Sequence, residues 1–351
     1  MNIKINTSTI RPMLDICEKY IAGENIEKEL REILNHEDYL VELERYNTAG
    51  GPRGGFSKEE FIEFFTNLNS LNYTDINNIR LRERLASFQY LLKNIDKYKA
   101  LVPFIESISA EKVRAALEKT KKGLPEDIDF EEVELIFSIG LGPSLGWFYK
   151  NYSHYDVIEF FKDFTEEVLL STIAHEYHHV GYRILSSNLD ESTFTVEETF
   201  YSLFSGEGLA IKYCNNYKGL LTTNIYNERA NTGVDEKSYK YFIEEFKVIY
   251  EKFLSDIQDI RSGKFKTQEE LVQMFIKYWM GTRTNRVKDN EPDDLGQSLN
   301  YFVGAEIWGL IHDTYGKEKL YKIFKNPSLF LSYYNKALIN IGRSDLLIPE
   351  V

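Results

Sequence analysis

The chain has 351 residues, 43% of them hydrophobic and 14% aromatic, enough to build one large core or two smaller ones. Lys and Arg number 42 against 55 Asp and Glu, a net charge of −13, and no basic stripe is visible, which argues against a nucleic-acid partner. No run approaches the length of a membrane span and Met1–Arg11 has no apolar signal segment, so the expectation is a soluble, cytoplasmic protein; a mature form with its leader removed would read the same.

Residues 8–47 carry amphipathic helical patterns, which the Gly50-Gly51-Pro52-Arg53-Gly54-Gly55 segment interrupts. That loop is either a surface turn or a clamp whose Arg53 reaches a substrate carboxylate. Ser57-x-x-Glu60 is a capping box that opens a helix containing Phe61, Phe64 and Phe65, and helices continue to about Lys122. Gly123-Leu124-Pro125 ends that run and sets the expected boundary between an N-terminal helical region, 1–124, and a second region, 125–351. The cysteines, Cys17 and Cys214, lie far apart in apolar helical patterns and read as core residues of a reducing compartment.

Val133–Ile139 is short, apolar and β-rich, and Gly140-Leu141-Gly142-Pro143-Ser144-Leu145-Gly146 follows it, so the pair reads as a strand ending in a turn. No Gly-Lys-Ser/Thr follows these glycines, and their spacing fits neither nucleotide fingerprint. Asp163-x-x-Glu166 then has the form of a capping box for a helix whose apolar face is Val168, Leu169, Ile173, Tyr177, Val180 and Ile184.

Within that helix residues 175–179 read His-Glu-Tyr-His-His, an HExxH. Four residues is about one turn, so His175 and His179 share a face on which two imidazoles can meet one zinc ion. Glu176 is offset around the helix, too far for a natural third ligand but well placed to take a proton from a water activated by the metal. His178 lies nearly on the same side; the placement of Glu176 favours His179 as the ligand, leaving His178 a supporting or structural role.

A zinc peptidase needs a third protein ligand and an open position. Thr195-x-x-Glu198 is a second capping box, and the helix it opens carries Ser205-Gly206-Glu207-Gly208-Leu209-Ala210. Glu207, separated from His179 by 27 residues (180 to 206), is the candidate. Glycine costs roughly 1 kcal/mol against alanine inside a helix, so two glycines beside a carboxylate point to a close backbone approach. Further helical segments run over Asp235–Arg261, from Thr267-x-x-Glu270 to Met280, and over roughly 293–342 after the polar Asp289–Asp294 cluster.

HEYHH followed by Glu207-Gly208-Leu209-Ala210 resembles the gluzincin metallopeptidases, whose pattern is HExxH with a downstream helical glutamate, and most closely resembles uncharacterised bacterial proteins described as zinc-dependent peptidases. The resemblance covers about residues 133–316 and implies zinc held by His175, His179 and Glu207 with Glu176 as general base. It implies a substrate-binding edge strand before the HExxH helix, for which Val133–Ile139 is the candidate, a plain core strand being the alternative. Tyr301-x-x-Gly304-Ala305 is similar to a segment of the aminopeptidase branch whose tyrosine stabilises the oxyanion, although Val303 stands where lysine is usual. His312 competes for that role, since thermolysin-like enzymes use a histidine.

The expected fold is mainly α with a small β-sheet, α+β, in a zincin-like arrangement with a helical C-terminal subdomain. The expected activity is hydrolysis of peptide bonds in a peptide or protein substrate. A metal-binding protein without catalysis, or a helical scaffold with a chance HExxH, are the alternatives.

Overall fold

The fold, obtained as a computed structural model, is described for residues 2–49, 54–150, 152–161, 165–280 and 296–350. Arg53, Asp163 and the 289–294 cluster, singled out in the sequence, lie outside those residues. In chain order the elements are β1 (Asn2–Asn6), α1 (Ile10–Ile21), α2 (Glu27–Ile33), α3 (Glu37–Ala49), α4 (Lys58–Thr66), α5 (Ile79–Lys93), α6 (Ile95–Glu106) and α7 (Ala110–Gly123). There follow β2 (Glu132–Ser138), β3 (Gly146–Tyr149), β4 (Tyr152–Asp156), α8 (Val157–Phe160), α9 (Glu166–Ser186), α10 (Val196–Leu203) and α11 (Ser205–Cys214). The chain ends with α12 (Glu236–Glu244), α13 (Phe246–Arg261), α14 (Gln268–Tyr278), α15 (Leu299–Lys325) and α16 (Phe330–Asn340). The protein is thus mainly α with one small mixed sheet, an α+β fold.

Two compact units interleave along the sequence: Met1–Ala115 with Phe130–Leu169, and Ala116–Asp129 with Leu170–Val351. The first holds the sheet, ordered β1-β2-β4-β3. β1 and β4 both pair with β2 in parallel, and β3 pairs with β4 antiparallel. The strand expected at Val133–Ile139 is therefore β2, an interior strand with a neighbour on each side. Its ladder groups are used within the sheet, so it cannot take an added substrate strand, and the substrate-edge reading of this segment is overturned in favour of the core strand. In the same unit Phe61 and Phe65 of α4 each meet Phe88 of α5 edge-to-face, with Phe65 and Phe88 centroids 5.1 Å apart.

The glycine-rich turn after β2 is pinned by buried charge. Arg84, on α5, donates through Nη1 to Asp156 Oδ2 (2.6 Å) and through Nη2 to Asp156 Oδ1 (3.0 Å) and the Gly140 carbonyl (2.6 Å). Asp156 Oδ1 also accepts the amides of Gly140 (3.0 Å) and Ile158 (3.1 Å). Glu42 Oε1 accepts from the Tyr46 hydroxyl (2.8 Å) and the amides of Leu141 (2.9 Å) and Gly142 (3.3 Å). The glycines serve this internal cradle, not a ligand phosphate. His154 stacks on Trp147 with 4.6 Å between centroids and shares a 2.7 Å hydrogen bond between its Nε2 and Ser138 Oγ.

The second unit is built on rings. Phe200, Phe204, Phe253, Phe275 and Trp279 surround one another at centroid separations of 4.8–6.3 Å, joining α10, α13 and α14. The Thr195–Glu198 box is present, as is that of Ser57 and Glu60; at Thr267 the hydroxyl accepts from Glu270 N, but the Glu270 carboxylate caps Lys266 N instead. The segment expected as one helix after Thr195 is two, α10 and α11, meeting at Phe204. Likewise 235–261 divides at Glu245, and α15 carries a kink at Gly316, whose φ of 79° needs glycine. α11 and α15 cross at two glycines: a Cβ on Gly208 would overlap the Gly304 backbone, and one on Gly304 would overlap the Phe204 carbonyl. Gly208 thus has its close approach; a Cβ on Gly206 would meet nothing nearer than the Tyr182 ring at 3.9 Å.

Cys17 and Cys214 are both buried free thiols, each pushed up to about 12 by burial, so neither is reactive at neutral pH. No helix among the described residues is long and apolar enough to cross a membrane.

Candidate metal centre

α9 carries the HExxH through the second unit as a continuous helix of 21 residues. Its periodicity turns His175 and His179 to one side, their rings 4.7 Å apart and nearly perpendicular at 82°. Glu207 stands in the first turn of α11 and reaches the same point. His175 Nε2 lies 3.1 Å from His179 Nε2, and Glu207 Oε2 lies 3.2 Å from the first and 3.0 Å from the second. These three form the one group of His, Cys, Asp or Glu residues among the described residues whose ligand atoms converge closely enough to hold a metal ion.

Burial by itself would raise the Glu207 carboxyl; the imidazoles facing it, His179 foremost, outweigh that and hold it well below the usual carboxylate range. It is therefore an anion. The donor set suits zinc: two imidazole nitrogens and one carboxylate oxygen are the protein ligands of one type of catalytic zinc site. Atoms about 2.0–2.1 Å from a common tetrahedral centre stand about 3.3–3.4 Å apart, close to the 3.0–3.2 Å separations here.

Glu176 is next to His175 on α9 and only 8% exposed. His178 is fully buried on another side, its ring stacked on Tyr213 at 5.9 Å, and burial holds it neutral, well below the ordinary histidine range. It is outside the cluster.

Of the two oxyanion candidates, Tyr301 is brought to the cluster: from the first turn of α15 its ring stacks on His175 at 6.0 Å with 10° between planes. His312 is 11 residues further along the same helix, roughly 16 Å at the usual rise. There its Nδ1 meets Asp313 Oδ1 at 3.1 Å and its ring packs on the edge of Tyr213 at 5.2 Å.

One residue at the cluster was not found from the sequence. Asn215, the C-cap of α11, sets its Oδ1 2.8 Å from His175 Nδ1. Its position eight residues, just over two turns, beyond Glu207 is the only sequence signal it carries, and an asparagine ending a helix is too ordinary to single out.

No curated protein and no solved structure matches the chain. Residues 30–341 match the sequence model of the family described as "Putative zinc dependent peptidase (DUF5700)", and on that match, which spans most of its length, the chain belongs to this family.

Proposed function

We propose that the protein is a gluzincin-type zinc peptidase that hydrolyses amide bonds of a peptide or protein substrate, with His175, His179 and Glu207 as the ligand set. The observation that carries this reading is the convergence of two Nε2 atoms and an anionic Oε2 within 3.0–3.2 Å of one another. Two imidazole nitrogens and a carboxylate oxygen gathered about one point are the kind of donor set that a catalytic zinc ion uses.

Zinc, when bound, supplies the electrophile: it polarises the scissile carbonyl and lowers the pKa of the attacking water towards about 7. Glu176 removes a proton from that water as its oxygen bonds to the carbonyl carbon. The same carboxyl then delivers the proton to the amine nitrogen as the carbon–nitrogen bond breaks, so the leaving group departs neutral. Tyr301, from its place against His175, donates its hydroxyl hydrogen to the carbonyl oxygen as negative charge develops. The contacts of His312 with Asp313 and Tyr213 favour Tyr301 for this step.

Glu176→Gln separates chemistry from binding. The variant is expected to retain the zinc content of the wild type and to lose about 10²–10⁴-fold in peptide hydrolysis, measured on a peptide library. A Glu176→Gln enzyme with full activity would remove the general base from the account.

A further inference from the structure

Hydrogen bonding fixes the state of His175 from a distance. Asn215 is 2% exposed, and its Nδ2 donates to the Thr232 carbonyl at 2.8 Å, while the Thr232 amide donates back to the Asn215 carbonyl at 3.0 Å. A carbonyl oxygen only accepts, so the edge of the Asn215 amide that faces Thr232 must be the NH₂. The edge facing His175 is then Oδ1, which also only accepts, and His175 Nδ1 must be the donor across 2.8 Å. With its one ring proton on Nδ1, neutral His175 presents a bare lone pair at Nε2, the atom 3.2 Å from Glu207 and 3.1 Å from His179.

We propose that Asn215 is a positioning residue: its amide, oriented by the Thr232 carbonyl, selects the Nδ1–H tautomer of His175 and aims Nε2 at the metal. This rests on the metal-ligand reading of His175 given above.

The loop that carries Thr232 is built to stay in place. Asn216 turns the chain with a φ of 51°, and its Oδ1 accepts the amides of Ile225 (3.1 Å) and Tyr226 (3.2 Å). Buried Glu306 accepts the amides of Leu220 (2.8 Å) and Leu221 (2.6 Å), and Asp313 accepts the Thr223 amide at 2.8 Å, tying the loop to α15. Because Thr232 offers an oxygen, the partner of His175 has to be an amide. A carboxylate at position 215 would still accept from His175 but would turn an oxygen towards the Thr232 carbonyl, so it supplies half of the arrangement.

Two readouts test this on the full chain. Zinc affinity, by competition with a chromogenic chelator, is expected to weaken about 10–100-fold in Asn215→Ala, as is usual when the outer partner of a ligating histidine is lost. Asn215→Asp, of nearly the same shape, is expected to recover part of that loss. Imidazole nitrogen NMR on the metal-free protein, with His175 assigned by comparison with His175→Gln, is expected to show Nδ1–H alone in the wild type and a tautomer mixture in Asn215→Ala, a change that a merely structural role would not produce. Asn215→Ala with wild-type affinity and an unchanged His175 signal would overturn the proposal, as would an aspartate that recovers nothing. Failure of the wild type to bind zinc would instead count against the metal reading, and the nitrogen spectra would still decide the role of Asn215.

Discussion

The polar cluster around Arg84 in the first unit and the cluster of His175, His179 and Glu207 in the second are both made of buried or nearly buried ionisable side chains. They differ in how donors and acceptors balance. Arg84 gives its two Nη groups to Asp156, Glu159 and the Gly140 carbonyl, and Asp156 takes two backbone amides besides, so cation and anions meet one another directly. In the second unit His175 has its Nδ1 proton committed to Asn215, and its Nε2 faces another imidazole nitrogen and an anionic oxygen. Burial of charge is common to both. What sets the second apart is that two imidazole nitrogens and a carboxylate oxygen converge on one point, the group we propose as the metal ligands.

Mutations that unbalance the closed cluster are expected to cost stability and nothing else chemical. The largest effect is expected from Arg84→Met, which leaves Asp156 buried without its cation and destabilises the fold by about 3–5 kcal/mol, measured by denaturant unfolding. A loss below about 1 kcal/mol would mean that the pair is not the pin of the turn after β2.

Gly208→Ala comes next, because its methyl group would have to displace the Gly304 backbone; overpacking of this kind costs about 1–3 kcal/mol, read as a lower Tm, with looser zinc binding because Glu207 is the preceding residue. Gly206→Ala is its control. A methyl group there has space, and the change is expected to stabilise α11 by up to about 1 kcal/mol. Equal effects of the two would show that the α11–α15 crossing does not discriminate between these glycines.

Glu42 offers a test by pH. Burial pushes its carboxyl up to about 7 from an ordinary 4.5, and Oε2 has no hydrogen-bond partner. A raised carboxyl pKa means that the folded state holds the proton that the unfolded chain releases, so this group's contribution to stability declines as pH rises from about 4.5 to about 7. Glu42→Gln keeps the accepting oxygen and removes the ionisation. Its stability relative to the wild type is therefore expected to improve by on the order of 1–3 kcal/mol between pH 5 and pH 8, followed by urea unfolding at each pH. A difference independent of pH would place the Glu42 pKa near its ordinary value.

The same contrast explains what the sequence disclosed. His175, Glu176 and His179 are legible because one helix presents them at a fixed spacing, and Glu207 because two glycines in an apolar helix have to be accounted for. Gly208 has such a reason in the backbone of Gly304; Gly206 shows none. The interior position of β2 was not legible, since it depends on β1 pairing from more than a hundred residues away. β1 itself, Asn-Ile-Lys-Ile-Asn, alternates but is too short and too exposed to declare itself. The break at Phe204 and the tilt of the 235–261 helix at Glu245 carry no proline or glycine to announce them. Asn215 was invisible for the most general reason: its meaning lies in the Thr232 carbonyl, 17 residues on, and in the histidine 40 residues back.

The most direct test of the central claim is elemental analysis of the purified protein beside His179→Ala. About one zinc per chain in the wild type, lost in the variant, is the expected result and follows from three ligands sharing one ion. A wild-type chain that holds no zinc and takes none up when zinc is added would contradict the account.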